Sequence, residues 1–362
     1  KRFMRILGIF RGFPGLGRVV AGVSLLEELR DQYGANIRMI SYLQGNEYLK
    51  SKGYADLHEA TPMDYCSIGL VPTNKMGAYI HTTIKEYTPD LILIDGEPLI
   101  VHSIKLSFPR MKIVVLLNPS DVDNSYNDKE AMDYFNSLYS MADVAIVHGL
   151  RKIRKPLFYD YKQFYSLNTI LRREILKLKN IPSKDIYCIL GGGTVNVSCQ
   201  FTESSIRIGE LCIKVAEELS EYRMHIVCSS ANIYDALYRM SITDNVFLYK
   251  DIISPQYYYA HASLIITRSG RNTLSEIKYL DIPAITFVTG DRYRVVEQRQ
   301  NVNLLHDDCC LMAESNWTKD ELVRLIKRLN IPKESDKIGS FIPGNAIAME
   351  ILLNNTSSMP TK

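Results

Sequence analysis

The chain has 362 residues, more than one hydrophobic core ordinarily organises, so two domains are expected. Its 43 basic against 40 acidic residues leave a net charge of +3, too small to point to nucleic acid, and no apolar run is long enough to span a bilayer. The seven cysteines (Cys66, Cys188, Cys199, Cys212, Cys228, Cys309 and Cys310) form no CxxC pair and show no metal-ligand spacing, which fits reduced thiols in a cytoplasmic setting.

The first residues, KRFMRILGIF, place charge before an apolar run but lack the small-residue cleavage site of a signal peptide. Met4 is a candidate natural start, and RILGIF (5–10) reads as a first strand. It leads into FRGFPGLGRVV, where Gly12, Gly15 and Gly17 permit a tight loop. Val20 stands where the last glycine of GxGxxG would fall, so the dinucleotide fingerprint is incomplete. Further strands are expected at 37–42, 91–95, 112–117 and 144–148, with amphipathic stretches between them. DGEP (95–98) and NPSDVD (118–123) follow the third and fourth of these runs, and His148 ends the fifth. Ligands of an open parallel sheet bind beyond the carboxyl ends of its strands. Asp95, Glu97, Asp121, Asp123 and His148 are therefore expected at one rim, one of them as a general base. DVD also has the DxD spacing of a metal motif, a triplet that arises readily in an acidic loop, and no metal is assigned.

The segment 151–180 concentrates Arg151, Lys152, Arg154, Lys155, Lys162, Arg172, Arg173, Lys177 and Lys179 among aromatics. Two readings stand: a face for an anionic membrane or another polyanion, or a solvated helix and loop whose aromatics pack inward. LKLKNIPSKD (176–185) reads as a linker. The boundaries that follow are an N-terminal domain over 1–178, a C-terminal domain over 179–342, and a final segment, 343–362, whose apolar helix packs back on the first domain.

The second series of strands is expected at 186–190, 224–229, 245–250, 263–267 and 284–288. Nearly continuous apolar strands separated by helices indicate parallel sheets covered on both faces, here two Rossmann-like α/β domains in tandem. After the first of these strands comes GGGTVNVS, whose Gly191, Gly192 and Gly193 let a phosphate approach the backbone while Thr194 adds a hydroxyl. After the fourth comes RSGRNTLSEIKYLDIP. There Ser269 can cap a helix, Gly270 leaves space above free amides, and Arg268 or Arg271 can neutralise phosphate. Glu276 lies two turns on, roughly 10 Å along the axis, at the distance of a ribose diol. The local alternative is a capping box between Thr273 and Glu276. Glu297 and Gln298 in VVEQRQNVNLL suit sugar hydroxyls or simply open a polar helix.

ADVAIVHG, LGGGT, ITRSGRNTLSEIKYLDIPAI and EQRQNVNLL together resemble the MurG-like family 28 glycosyltransferases. PDLILIDGEPL and GLGR resemble a subgroup in which GLGH is common. The resemblance implies a GT-B fold, two Rossmann-like domains facing each other across a cleft. It implies an inverting, metal-independent transfer of a hexosyl or N-acetylhexosaminyl group from a nucleoside-diphosphate sugar, UDP-sugar favoured. The acceptor is a hydroxyl, lipid-linked or on a glycan; no cofactor and no nucleic acid are implied. Carried over by position, Gly192, Gly193 and Thr194 hold the pyrophosphate, Ser269 and Gly270 touch phosphate, Glu276 binds the ribose, and Glu297 and Gln298 meet the sugar. Arg18 replaces the common histidine of the first loop and is a poor proton acceptor. The base is then expected to be Glu97, followed by Asp121 and His148, with Arg18 stabilising the leaving diphosphate or binding an anionic acceptor. The alternatives are a nucleotide-sugar hydrolase on the same scaffold and a catalytically silent nucleotide-sugar-binding subunit.

Overall fold

The computed structural model describes residues 3–13, 15–54, 65–68, 70–190, 199–240, 242–251, 253–268, 270–289, 292–305, 310–314, 316–329 and 341–356. They divide into two compact units, Lys1–Arg172 with Pro343–Lys362, and Arg173–Ile342.

The first unit carries β1 (Arg5–Phe10), β2 (Asn36–Ile40), β5 (Leu91–Asp95), β6 (Ile113–Leu117), β7 (Val144–His148) and β8 (Gln163–Leu167) in one parallel sheet of order β2-β1-β5-β6-β7-β8. A two-residue antiparallel ladder, β3 (Ser67–Ile68) with β4 (Val71–Pro72), stands apart from it. Alternate strand residues go to opposite faces. Ile6, Leu93 and Val114 pack with the helix Gly17–Tyr33, while Leu7, Ile92 and Val115 pack with the opposite layer. The inner strands β1, β5, β6 and β7 are buried on both faces, which is why they read as unbroken apolar runs.

The final helix, Asn345–Thr356, belongs to this unit and adds Ala348, Met349 and Leu352 to the core beside the helix Gly17–Tyr33. Asn345 fixes its start: its Oδ1 accepts from the Leu171 amide at 2.9 Å and its Nδ2 donates to the Leu171 carbonyl at 2.9 Å. The break between units falls at Arg172 and Arg173, a few residues before the proline-containing stretch that reads as a linker.

The second unit carries β9 (Asp185–Ile189), β10 (Arg223–Val227), β11 (Val246–Tyr249), β12 (Ala262–Arg268), β13 (Ala284–Phe287) and β14 (Cys310–Ala313), also all parallel, in the order β11-β10-β9-β12-β13-β14. Cys66, Cys188, Cys212, Cys228 and Cys310 are buried free thiols.

Four strands depart from the sequence reading: the two-residue pair β3 and β4, then β8 and β14. β8 crosses the basic aromatic segment, one reading of which is a helix and loop; as the edge strand it leaves Gln163 and Tyr165 exposed and buries only Leu167, so its apolar signal is weak. β14 is four residues long and was not expected.

Asp185 opens β9 and accepts from Arg223 Nε at 2.6 Å and Nη2 at 2.8 Å, from His225 Nε2 at 2.7 Å and from the Ser183 hydroxyl. The hydrogen bonds from Arg223 hold its carboxyl well below the usual carboxylate range. A depressed value in the folded chain means stability that is present above the ordinary carboxylate pKa and is lost as pH falls through the depressed one. Asp185→Asn is therefore expected to lower Tm at pH 7 by a few degrees, on the order of that set by one charge-assisted contact. It is also expected to flatten the further loss of Tm that the natural chain shows between about pH 4 and pH 2. Thermal melts across that range check both.

Candidate functional site

In each sheet the chain starts in the interior, builds to one side, and then returns to the other side of its first strand. The crossovers on either side of that point run over opposite faces, which opens a crevice at the carboxyl ends of the two central strands. In the first unit those strands are β1 and β5; in the second they are β9 and β12.

At the first crevice a cluster of charges converges. Arg18 is the second residue of the helix that follows β1, and its Nη1 donates to Asp95 Oδ1 at 2.7 Å. The same guanidinium meets Asp121 in fork geometry, Nη1 to Oδ2 at 3.0 Å and Nη2 to Oδ1 at 2.9 Å. Asp121 Oδ2 also accepts from the Asn118 amide at 2.8 Å, closing a capping box on the short helix Pro119–Val122. Burial works against the Arg18 charge, and the two carboxylates outweigh it, so its pKa rises well above the ordinary value. Gly96 lies between these groups with φ +79°; a Cβ there would fall 2.5 Å from Arg18 Cδ and 2.9 Å from Arg11 Cβ.

Glu97 follows directly and is fully buried. Its Oε1 accepts from the Tyr42 phenol and its Oε2 from the half-buried Ser67 hydroxyl at 2.8 Å. Burial raises the Glu97 pKa, and the bonds from Tyr42 and Ser67 pull against that rise. Burial beside this carboxylate likewise pushes the Tyr42 phenol up. Gly12 keeps the Tyr42 segment close, since a Cβ there would meet the Tyr42 carbonyl at 1.8 Å.

The expected rim is thus only partly assembled. Asp95 and Asp121 meet through Arg18, and Glu97 lies beside them. Asp123 turns to Arg151 Nη1 at 2.8 Å. His148 is sealed in the interior, where its Nδ1 accepts from the Ile170 amide at 3.2 Å, so the neutral ring carries its proton on Nε2. Gly15 lies in the loop before Arg18, and Gly17 opens the helix. Sequence reasoning missed Tyr42 and Ser67; Tyr42 does stand just past the end of β2, where the sheet rule would direct attention.

In the second unit the turns singled out from the sequence follow β9 and β12, the two strands flanking the crevice. Gly192, Gly193, Thr194 and Ser269 lie outside the described residues. Gly270, in extended conformation, is the N-cap of the helix Arg271–Leu280, one residue later than expected. No side-chain cap closes that end, so the capping box between Thr273 and Glu276 is absent. Glu276 is instead buried, and its Oε2 accepts from the phenol of the fully buried Tyr259 at 2.9 Å. Arg268 ends β12 and donates from Nη1 to Ser205 Oγ at 2.8 Å. Arg271 Nε donates to Asn272 Oδ1 at 3.1 Å. Gln298 Oε1 accepts from the Thr289 amide at 2.8 Å and so fixes the turn after β13, while Glu297 is half-buried beside it in sequence. Tyr259 and Ser205 carried no sequence signal, since each lies on a helix without a motif.

Residues 213–339, within the second unit, match the glycosyltransferase family 28 C-terminal domain. Over nearly its whole length the chain is similar in structure to MurG from Acinetobacter baumannii, with 12% identity and a TM-score of 0.58 over 97% of this chain and 99% of that one. It is similar to Arabidopsis thaliana UGT89C1 complexed with UDP-L-rhamnose, with 10% identity and a TM-score of 0.63 over 98% and 100%. It is also similar to the UDP-GlcNAc 2-epimerase of Methanocaldococcus jannaschii, with 14% identity and a TM-score of 0.62 over 97% and 100%. At such identities the likeness is one of fold, and the fold is GT-B. No curated protein matches the chain in sequence.

Arg18→Ala leaves two carboxylates facing each other without their shared cation. The expected cost is on the order of 3 kcal/mol, since removing one partner strands the others in a poorly solvated place. Adding Asp121→Asn is expected to recover part of it. Urea unfolding of the single and double variants measures both, and an unchanged midpoint in Arg18→Ala would show that the cluster does not hold the rim.

Proposed function

We propose that this chain is an inverting glycosyltransferase that moves a hexosyl or N-acetylhexosaminyl group from a nucleoside-diphosphate sugar, UDP-sugar favoured, to a hydroxyl acceptor. The observation that carries this reading is the family 28 match over residues 213–339, which takes in β12 and the helix start at Gly270 beside the crevice of the second sheet. The donor lies on the second unit. The helix start at Gly270, with Ser269 and the glycine turn 191–194, takes the diphosphate through backbone amides. Arg268 and Arg271 supply positive charge, Glu276 takes the ribose hydroxyls with the carboxylate that Tyr259 orients, and Glu297 and Gln298 face the sugar.

Glu97 is the proton acceptor of this reading. Burial raises its affinity for a proton, and Ser67 links it to the accessible side, so the acceptor's proton passes to Ser67 as the Ser67 proton passes to Glu97. The oxygen freed of its proton attacks the anomeric carbon, and the bond to the diphosphate breaks with its electron pair on the leaving phosphate. Asp121 has both oxygens engaged by Arg18 and by the Asn118 amide, and serves to hold the cation in place.

Transfer from a panel of nucleotide sugars tests the function. Glu276→Ala is expected to raise KM for the donor at least tenfold, and undiminished donor binding would remove its ribose role. Glu97→Gln is expected to lower kcat by about 10²–10⁴ while donor binding persists. Because the Glu97 pKa is raised, the acid limb of the natural enzyme's rate should sit above the ordinary glutamate value and vanish in that variant. Sugar release without acceptor, as fast as transfer, would mark a hydrolase instead; donor binding with no turnover would mark a silent subunit.

A further inference from the structure

The basic aromatic segment has a feature that donor chemistry does not use. Leu157 and Phe158 are 92% and 96% exposed, adjacent apolar side chains at the tip of the loop that joins β7 to β8. Such a pair is costly to leave in water, and most of the segment's other aromatics avoid that cost. Tyr161 is buried with its phenol donating to Asn136 Oδ1 at 2.7 Å, and its ring meets Phe164 edge-on at 5.2 Å. Tyr159 donates to Asp133 on the helix Lys129–Tyr139.

The loop is rooted at both ends. Ile153 is buried, and its amide donates to Ser166 Oγ at 2.9 Å. The tip therefore protrudes from a fixed base. Around it stand Lys152, Arg154, Lys155 and Lys162, all exposed, with Arg151 paired to Asp123. Lys162 lies 3.8 Å from Asp143, at salt-bridge range only. The acidic groups nearby are Asp160, which is exposed, and Asp133, which is engaged by Tyr159. Cations therefore outnumber anions on this loop, and its two apolar side chains stand almost fully in solvent among them in sequence.

We propose that the loop 151–162 docks this protein peripherally on an anionic lipid bilayer, with Leu157 and Phe158 entering the interface and Lys152, Arg154 and Lys155 meeting headgroup phosphates. An apolar tip beside cations is complementary to a bilayer surface, which offers an acyl boundary just beneath a layer of negative charge. A soluble polyanion would engage the cations and leave Leu157 and Phe158 in water. The long stems of Lys and Arg also allow the tip to sink while their charged ends remain at headgroup level. The inference does not depend on the proposed reaction, and its test needs no nucleotide sugar.

The test is co-sedimentation of the full chain with vesicles at low salt. Vesicles of phosphatidylglycerol and phosphatidylcholine are expected to carry the protein down, vesicles of phosphatidylcholine alone to carry little, and added salt to release it. Leu157→Glu with Phe158→Glu is expected to weaken partitioning by about tenfold or more. Arg154→Gln and Lys155→Gln are each expected to weaken it roughly fivefold. All four positions are exposed, so an unchanged Tm in these variants shows that folding is not the cause. Absence of sedimentation by the natural chain would overturn the proposal. So would binding that the double glutamate variant retains and soluble heparin abolishes, which would identify a polyanion surface. A natural-chain dimer that this variant dissolves, with no vesicle binding, would overturn it in favour of an interface between copies.

Discussion

The molecule depends on one constraint of parallel β-structure. Each strand must be followed by a crossover, and the crossovers must cover both faces of the sheet. A chain that starts in the middle and builds outward in both directions leaves its first strand beside a later one, with crossovers departing over opposite faces. Both units do this, at β1 beside β5 and at β9 beside β12. Every chemically distinctive turn discussed above for these four strands lies at that place. The apolar runs therefore do two things: they build the core, and by fixing strand order they decide which loops become neighbours.

The two crevices are furnished differently. The second is set by backbone: a glycine cap at a helix start, which leaves amides directed outward where an anion is favoured. The first is set by side chains, and Arg18 is its centre. A permanent cation between Asp95 and Asp121 joins the helix after β1 to the end of β5 and to the short helix after β6. A histidine in that position would be a titratable group able to take a proton; an arginine is a fixed tie. The neighbouring carboxylate, Glu97, is the group there whose proton affinity burial raises.

What the sequence revealed follows from the same physics. The inner strands were legible because doubly buried strands are nearly pure apolar runs, and the edge strands β2 and β11 keep enough apolar residues to stand out. β8 was not, because an edge strand with one half-exposed face mixes Gln163 and Tyr165 with Phe164 and Leu167. Four residues of β14 carry too little pattern to stand out. At the site, strand ends were predictable and side-chain pairing was not. His148 was correctly placed at a strand end, yet it is closed over by the segment around Ile170. Asp123 faces outward to Arg151 although it is two residues from Asp121. Thr273 and Glu276 have capping-box spacing, but the helix begins at Arg271, which puts Glu276 in its second turn and on its buried side. A capping box there would need Thr273 at the N-cap, three residues beyond Gly270, where the helix in fact begins.

Both crevices share a device that neither sequence motif announces. In each unit a glutamate near the switch point is buried, and a tyrosine from a different element donates to one of its oxygens, Tyr42 to Glu97 and Tyr259 to Glu276. A buried carboxylate is tolerated only when its oxygens have donors, and a phenol supplies one from a rigid ring with few torsions to freeze. The donor fixes the rotamer and thereby directs the second oxygen. In the first unit that oxygen is taken by Ser67, so the carboxylate communicates with the outside through a hydroxyl. The two glutamates, alike in identity and in burial, are thus each held by a phenol from a separate element, and that contact sets the direction of the carboxylate.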